Sequence, residues 1–64
     1  MRVDTRRYER VHGKKPRGKW MWAFNIGPED DPIPAVIPGR YQEAKKKIIE
    51  HAKQLGEGEI RVLP

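Results

Sequence analysis

Two periodicities of the apolar residues predict the best-defined elements of the chain. Between Lys19 and Ile26 the large side chains occupy every second position: Trp20, Trp22, Phe24 and Ile26. A period of two places side chains on one face of a β-strand. Between Arg40 and Leu55 the apolar residues are spaced 3, 4, 4 and 3 apart, at Tyr41, Ala44, Ile48, Ala52 and Leu55. That spacing predicts an α-helix with one apolar stripe, ended by Gly56.

The segments before and after the aromatic strand predict a further strand and two loops. Thr5–His12 has Tyr8 and Val11 among charged residues, and it is interpreted as an amphipathic first strand. Residues 12–18 contain two glycines and a proline among basic residues, which predicts a basic hairpin loop between the first and second strands. Residues 27–32 predict an acidic turn bounded by prolines.

The second half of the chain completes the predicted fold. Ile33–Pro38 is apolar, but its prolines cannot donate to a ladder, so it is predicted as an edge strand. Glu59–Leu63 is rich in β-forming residues and predicts an optional last strand, through which a homodimer could form as an alternative to a monomer. The expected fold class is α+β: one domain over residues 1–64, with a three- to four-stranded antiparallel sheet and one α-helix packed on one face, in the order β-β-β-α-(β).

One helix covers one face of such a sheet, so the bulky face of the aromatic strand is predicted to form the core beneath it. Stacking of Trp20 and Trp22 on unpaired bases is the alternative, and their register with Phe24 favours the core. The opposite face, which begins with Lys19 and Met21, is predicted to remain open to a partner.

Charge is segregated along the chain. The first 19 residues hold eight basic and two acidic side chains, a net charge of +6, whereas residues 20–64 have a net charge of −1. Such a local positive field favours binding of a polyanion through release of condensed counterions. The predicted contacts with nucleic-acid phosphates are Arg6, Arg7, Arg10, Lys14, Lys15, Arg17 and Lys19. The plainer alternative is a solvated basic arm that keeps the protein soluble.

Other charged and polar residues have structural interpretations. Lys45–Lys47 is interpreted as a solvated helix face that pairs with Glu43 and Glu50. The chain has no Cys and no Ser, and it has no Gly-rich phosphate loop. Its two histidines and the acidic turn lack the spacing of metal ligands. The sequence therefore predicts no catalytic residue, no metal site and no cofactor, and the protein is not expected to be an enzyme.

The chain contains no apolar run long enough to span a bilayer and no signal-peptide pattern at Met1–Asp4. No membrane association is expected. Together with the lack of Cys, these features predict a cytoplasmic protein.

Four short stretches resemble the ethylene-response-factor type DNA-binding domain of plants, and similar domains occur at the amino end of phage-type tyrosine recombinases. The stretches are Tyr8–His12, Gly18–Phe24, Val36–Ala44 and Val62–Pro64. The resemblance implies a three-stranded antiparallel sheet that enters the DNA major groove and is backed by one helix. Lys19 and Trp20 match contact residues of that family directly, with Arg10 and Arg17 as neighbouring substitutes for others.

The function predicted from charge, pattern and resemblance is nucleic-acid binding, with duplex DNA preferred, through the open sheet face and the basic hairpin. The competing hypothesis is a small phage or mobile-element regulator that docks on a host protein, or that captures an anionic nucleotide.

Overall fold

A computed structural model describes all 64 residues as a four-stranded sheet with two helices. The elements are β1 (Arg2–Asp4), α1 (Arg6–His12), β2 (Lys19–Ile26), β3 (Ile33–Arg40), α2 (Tyr41–Gln54) and β4 (Glu59–Val62). The strand order in the sheet is β1-β4-β2-β3, with β1 parallel to β4 and the other neighbours antiparallel. The predicted α+β class is confirmed, although the sheet is mixed rather than wholly antiparallel.

The hairpin of β2 and β3 is the longest pairing in the sheet. It extends from Lys19 opposite Arg40 to Ile26 opposite Ile33. As predicted, the proline-containing β3 is an edge strand. Within β2, only Phe24–Ile26 pairs with β4, so the residues at the other end of the hairpin form a two-stranded ribbon. We define the ribbon as residues 19–22 of β2 and 37–40 of β3.

The helix α2 matches the predicted stripe closely. Its buried residues are Tyr41, Ala44, Ile48 and Ala52, and it packs against β2, β3 and β4. Leu55, the last residue of the predicted stripe, lies beyond the last helical residue and is 43% exposed. Gly56 follows with φ +77°, the left-handed conformation that favours glycine at a helix end. Neither helix has the length and apolar character needed to cross a membrane.

The core lies between the sheet and α2. It contains ten residues: Tyr8, Trp22, Phe24, Ile26, Tyr41, Ala44, Ile48, Ala52, Ile60 and Val62. The indole of Trp22 contacts the ring of Tyr41, with centroids 5.0 Å apart, and the ring of Tyr8 at 5.6 Å. Its Nε1–H donates to the carbonyl oxygens of Gly18, at 3.2 Å, and Gly39, at 3.0 Å. A buried indole therefore has its polar group satisfied.

The prediction that Trp20 belongs to this core is wrong, because its side chain is 68% exposed. Tyr41 follows β3 directly, and its ring covers Trp22. Trp20 lies two residues nearer the end of β2, about 7 Å farther along the strand. Its partner across the ribbon is Gly39, which has no side chain to cover it. Alternation therefore predicts on which face of the strand Trp20 lies, but not whether other residues pack over its side chain.

The predicted first strand over Thr5–His12 is also wrong, since this segment forms α1. The backbone N–H of Arg6 donates to Asp4 Oδ1 at 3.0 Å, which satisfies one free amide at the helix start. At the other end Gly13 adopts φ +71°, and its N–H donates to Glu9 O at 2.8 Å. Residues 13–18 consequently connect a helix to β2, and the predicted basic hairpin does not exist as a hairpin.

The last strand is central rather than terminal in the sheet. β4 lies between β1 and β2, so both of its backbone edges face neighbouring strands of the same chain. The expectation that Ile60–Leu63 offers an edge for dimerisation is wrong, because that strand has no free edge; the choice between monomer and homodimer stays a prediction. Arg2–Asp4 supplies the edge beside β4, with Val3 packed against the core.

The two tryptophans give a matched test of this packing. Replacing Trp22 with Ala should lower the free energy of unfolding by about 3–5 kcal/mol, because it opens a core cavity and removes a donor to two carbonyls. The control, Trp20→Ala, should change it by about 0.5 kcal/mol or less. Urea unfolding followed by circular dichroism measures both, and equal losses in the two variants would contradict the assignment.

Candidate nucleic-acid interface

The seven predicted phosphate contacts lie on three successive segments. Arg6, Arg7 and Arg10 are on α1, Lys14, Lys15 and Arg17 are in the connection 13–18, and Lys19 begins β2. All seven side chains are exposed. The structure separates them into two surfaces, because the α1 arginines lie beside β4 whereas Lys19 lies on the ribbon.

The outer face of the ribbon carries cations beside apolar side chains. Lys19 is directly opposite Arg40, so two positive side chains lie next to each other at the ribbon end. Met21 is 62% exposed, and Val36, just beyond the ribbon, is 57% exposed. With Trp22 turned toward the core, the period of two directs Lys19 and Met21 to this outer face. The open face predicted for β2 is confirmed at these positions.

Charge changes sign along the β2–β3 hairpin. Its ribbon end has Lys19 and Arg40, whereas the turn at its other end has the exposed acids Glu29, Asp30 and Asp31. At about 3.4 Å per residue, the eight residues of β2 separate the two ends by about 24 Å. This separation exceeds the Debye length of about 8 Å at physiological ionic strength, so the acids do little to weaken the field at the ribbon end.

The other half of the outer face, over β1 and β4, is occupied by the protein itself. Arg61 alternates with the core residues Ile60 and Val62 and therefore points away from α2, yet it is only 6% exposed. The helix α1 contacts β4, and its Arg6, Arg7 and Arg10 side chains line a cavity together with Arg61, while its Tyr8 belongs to the core on the α2 side. Arg7 of α1 lies 3.6 Å from Glu29 of the β2–β3 turn, so an ion pair connects segments on either side of β4. The wholly open face expected from the sequence is thus confined to β2 and β3.

These segments enclose a cavity of about 300 Å³, which we call the arginine cavity. It is lined by Asp4, Arg6, Arg7, Arg10, Glu29 and Arg61. The Nη2 atom of Arg6 lies 2.8 Å from Asp4 Oδ2, and Nη1 of Arg61 lies 3.6 Å from Glu59 Oε1. Arg10 takes part in none of the three ion pairs of the protein.

Electrostatics in this region are dominated by the pair of Asp4 and Arg6. The side-chain hydrogen bond from Arg6, reinforced by the backbone N–H of Arg6, holds the pKa of Asp4 well below its usual range. The same hydrogen bond raises the pKa of Arg6. Asp4 is therefore an ionised partner of Arg6 at neutral pH.

Away from this region, burial raises the pKa of Tyr41 above its ordinary value.

Periodicity missed three residues of these surfaces, although the family resemblance does name one of them, Trp20, as a contact residue. The helical pattern places Arg40 at the start of the helix, although its register opposite Lys19 puts it on the ribbon. The period of two assigns Trp20 to the core, and it gives Arg61 no role beyond that of an ordinary basic residue in a last strand. A local signal exists for α1, because Tyr8 and Val11 are three residues apart and Gly13 follows. No local signal indicates that the arginines of α1 share a cavity with Arg61.

The chain provides no cluster of three or more His, Asp or Glu side chains that could hold a metal ion. Comparison of the chain with protein-family models, with curated proteins and with solved structures finds no match in any of the three. The resemblance to the plant and recombinase DNA-binding domains therefore stays a prediction.

The Asp4–Arg6 pair predicts a specific pH dependence of stability. Because the pKa of Asp4 is lower in the folded state, its stabilising contribution is complete above the unfolded pKa of about 3.9 and is lost as the pH falls further. Asp4→Asn should lower the melting temperature at pH 7, and this deficit should shrink between about pH 4 and pH 2. Asp30→Asn, in an exposed turn, is the control. Thermal melts across this range and up to neutral pH provide the measurement, and a deficit independent of pH would contradict the prediction.

Proposed function

We propose that this protein binds duplex DNA through the outer face of its two-stranded ribbon, as a non-catalytic binding protein of the cytoplasm. The observation that carries the proposal is the ribbon itself. It projects past β4 with Lys19 and Arg40 side by side and exposed at its end. No other surface of the protein combines a free ribbon with paired cations.

The dimensions of the ribbon suit a DNA groove. Two paired strands are about 4.8 Å apart, and the major groove of B-DNA, about 12 Å wide, admits a two-stranded ribbon with its side chains. Lys14, Lys15 and Arg17 precede the ribbon in an exposed connection, where they can contact phosphates at the groove rim. The acidic turn at the far end of the hairpin would point away from the DNA.

The apolar residues of this face have a role in the same proposal. Met21 and Val36 are exposed at the centre of the surface, flanked by the small Ala23. Apolar side chains can contact thymine methyl groups in the major groove, whereas lysine and arginine contact guanine or phosphate. On the other face of the ribbon, the exposed ring of Trp20 could pack on a sugar or on an unpaired base.

A second candidate function is docking on another protein, as expected of a small inhibitor or regulator. The supporting observation is the exposure of three large apolar side chains on one hairpin, Met21 and Val36 on its outer face and Trp20 on the other. Tryptophan and methionine are enriched in protein interfaces, and exposed apolar patches mark such sites. Both candidates use the same ribbon, so they differ in partner and in salt dependence rather than in location.

Charge reversal on the ribbon tests the DNA proposal. In fluorescence anisotropy with a random duplex of about 20 base pairs, wild-type affinity should fall steeply between about 50 and 200 mM salt. Lys19→Glu with Arg40→Glu should weaken binding and reduce the slope of log K against log salt by about 2, because two phosphates are then no longer neutralised. The control is Lys46→Glu with Lys53→Glu, which makes the same charge change on the exposed side of α2.

Equal effects of the two double variants would contradict a ribbon interface, because only net charge would then matter. Tighter binding of single-stranded DNA or RNA than of the duplex would contradict the choice of polymer. Weak duplex binding, together with capture of a protein that depends on Trp20 and Met21, would favour the docking function instead.

A further inference from the structure

Arg61 is the most unusual charged residue in the protein. Its side chain is 8% exposed, and neither Nη1 nor Nη2 has a hydrogen-bond partner. A guanidinium is a permanent cation with five N–H donors, and burying such donors without acceptors is costly. The nearest acid, Glu59, is 3.6 Å from Nη1, beyond the usual distance of a charge-assisted hydrogen bond. Arg61 therefore retains donors for an acceptor that is not part of its own fold.

Arg61 lines the arginine cavity, which concentrates positive charge around its side chain. Four arginines and two acids line it, a net charge of +2. Asp4 is engaged by Arg6, and Glu29 is paired with Arg7 at 3.6 Å. Arg10 and Arg61 are consequently the lining cations that form no ion pair with a lining acid, although Asp4 is the cross-strand neighbour of Arg61. Glu59, next to Arg61, reduces the positive charge at the cavity, but it accepts no hydrogen bond from Nη1 or Nη2 of Arg61.

We propose that the arginine cavity binds a phosphate monoester, with Arg61 at its base and Arg10 at its rim. Planar guanidinium groups bind phosphate oxygens in pairs of hydrogen bonds, and a monoester carries close to two negative charges at pH 7. A phosphodiester within a strand has a sugar on each side, so it cannot bring its oxygens to a buried donor as a terminal phosphate can. A volume of about 300 Å³ lies at the lower limit of ligand pockets, which accommodates a phosphate together with the ester group attached to it.

The cavity uses residues different from those of the ribbon, so this inference does not depend on the proposed DNA binding. A phosphate monoester can come from a free mononucleotide or from the 5′ end of a nucleic acid. Isothermal titration calorimetry with adenosine 5′-monophosphate, and with adenosine as the control, tests the first source. A short oligonucleotide with and without a 5′-phosphate tests the second source.

Three substitutions test the assignment on the intact protein. Arg61→Met keeps a long side chain in the buried position and should preserve the fold, because a buried guanidinium whose Nη groups lack hydrogen-bond partners costs free energy that an apolar side chain avoids. Arg10→Gln acts at an exposed site and leaves the sheet unchanged. Each should weaken monoester binding about tenfold or more. Arg2→Gln removes an exposed arginine outside the cavity and should leave affinity within about twofold.

Binding of either phosphorylated probe that Arg61→Met and Arg10→Gln each weaken by about tenfold or more would support the proposal and identify the source. Equal binding of adenosine and its monophosphate, no binding of any phosphorylated probe at millimolar concentration, or full affinity in Arg61→Met would overturn it. Failure of the ribbon proposal would be distinct: Lys19→Glu with Arg40→Glu would leave affinity for an unphosphorylated duplex unchanged, whatever the result for the monophosphate.

Discussion

The packing of one indole between two tyrosine rings is the interaction on which the rest of this fold depends. Trp22 brings together α1 through Tyr8 and α2 through Tyr41. Its Nε1–H holds the carbonyl of Gly18 before β2 and that of Gly39 near the end of β3. A domain of this size buries little surface, so few other groups can join its elements. Four segments of the chain thus meet at a single side chain.

The position of Trp22 also determines what the surface presents. Because it points inward, its neighbours at odd positions in β2 point outward, and the ribbon exposes a cation and a thioether on one face. Tyr41 begins α2 immediately after β3, and its backbone N–H donates to Gly18 O at 2.9 Å. This connection holds the ribbon end against the helix, so Lys19 and Arg40 lie on a rigid element rather than on a loop. A preformed surface loses less entropy on binding.

Local periodicity predicts those parts of the fold that are locally determined. The eight residues of β2 and the stripe of α2 are predicted within one or two residues, because their apolar positions repeat at the period of the element. The seven residues of α1 contain only one buried side chain, Tyr8, so their pattern is too weak to distinguish a helix from a strand. The parallel pairing of β1 with β4 joins the two ends of the chain, and no local signal encodes it.

The candidate sites follow the same division between local and non-local information. The excess positive charge of the first 19 residues is evident from the sequence, but its separation into a ribbon and a cavity is not. In Ile60-Arg61-Val62 alternation correctly directs Arg61 away from the core, and the pattern alone suggests a solvated side chain. The side chain is nevertheless buried, and the residues that line the cavity with it include three arginines of α1, which lies near the opposite end of the chain. Periodicity determines the face on which a side chain lies, whereas tertiary packing determines whether that face meets water. Because of this packing, Arg61 lines a cationic cavity instead of extending into solvent.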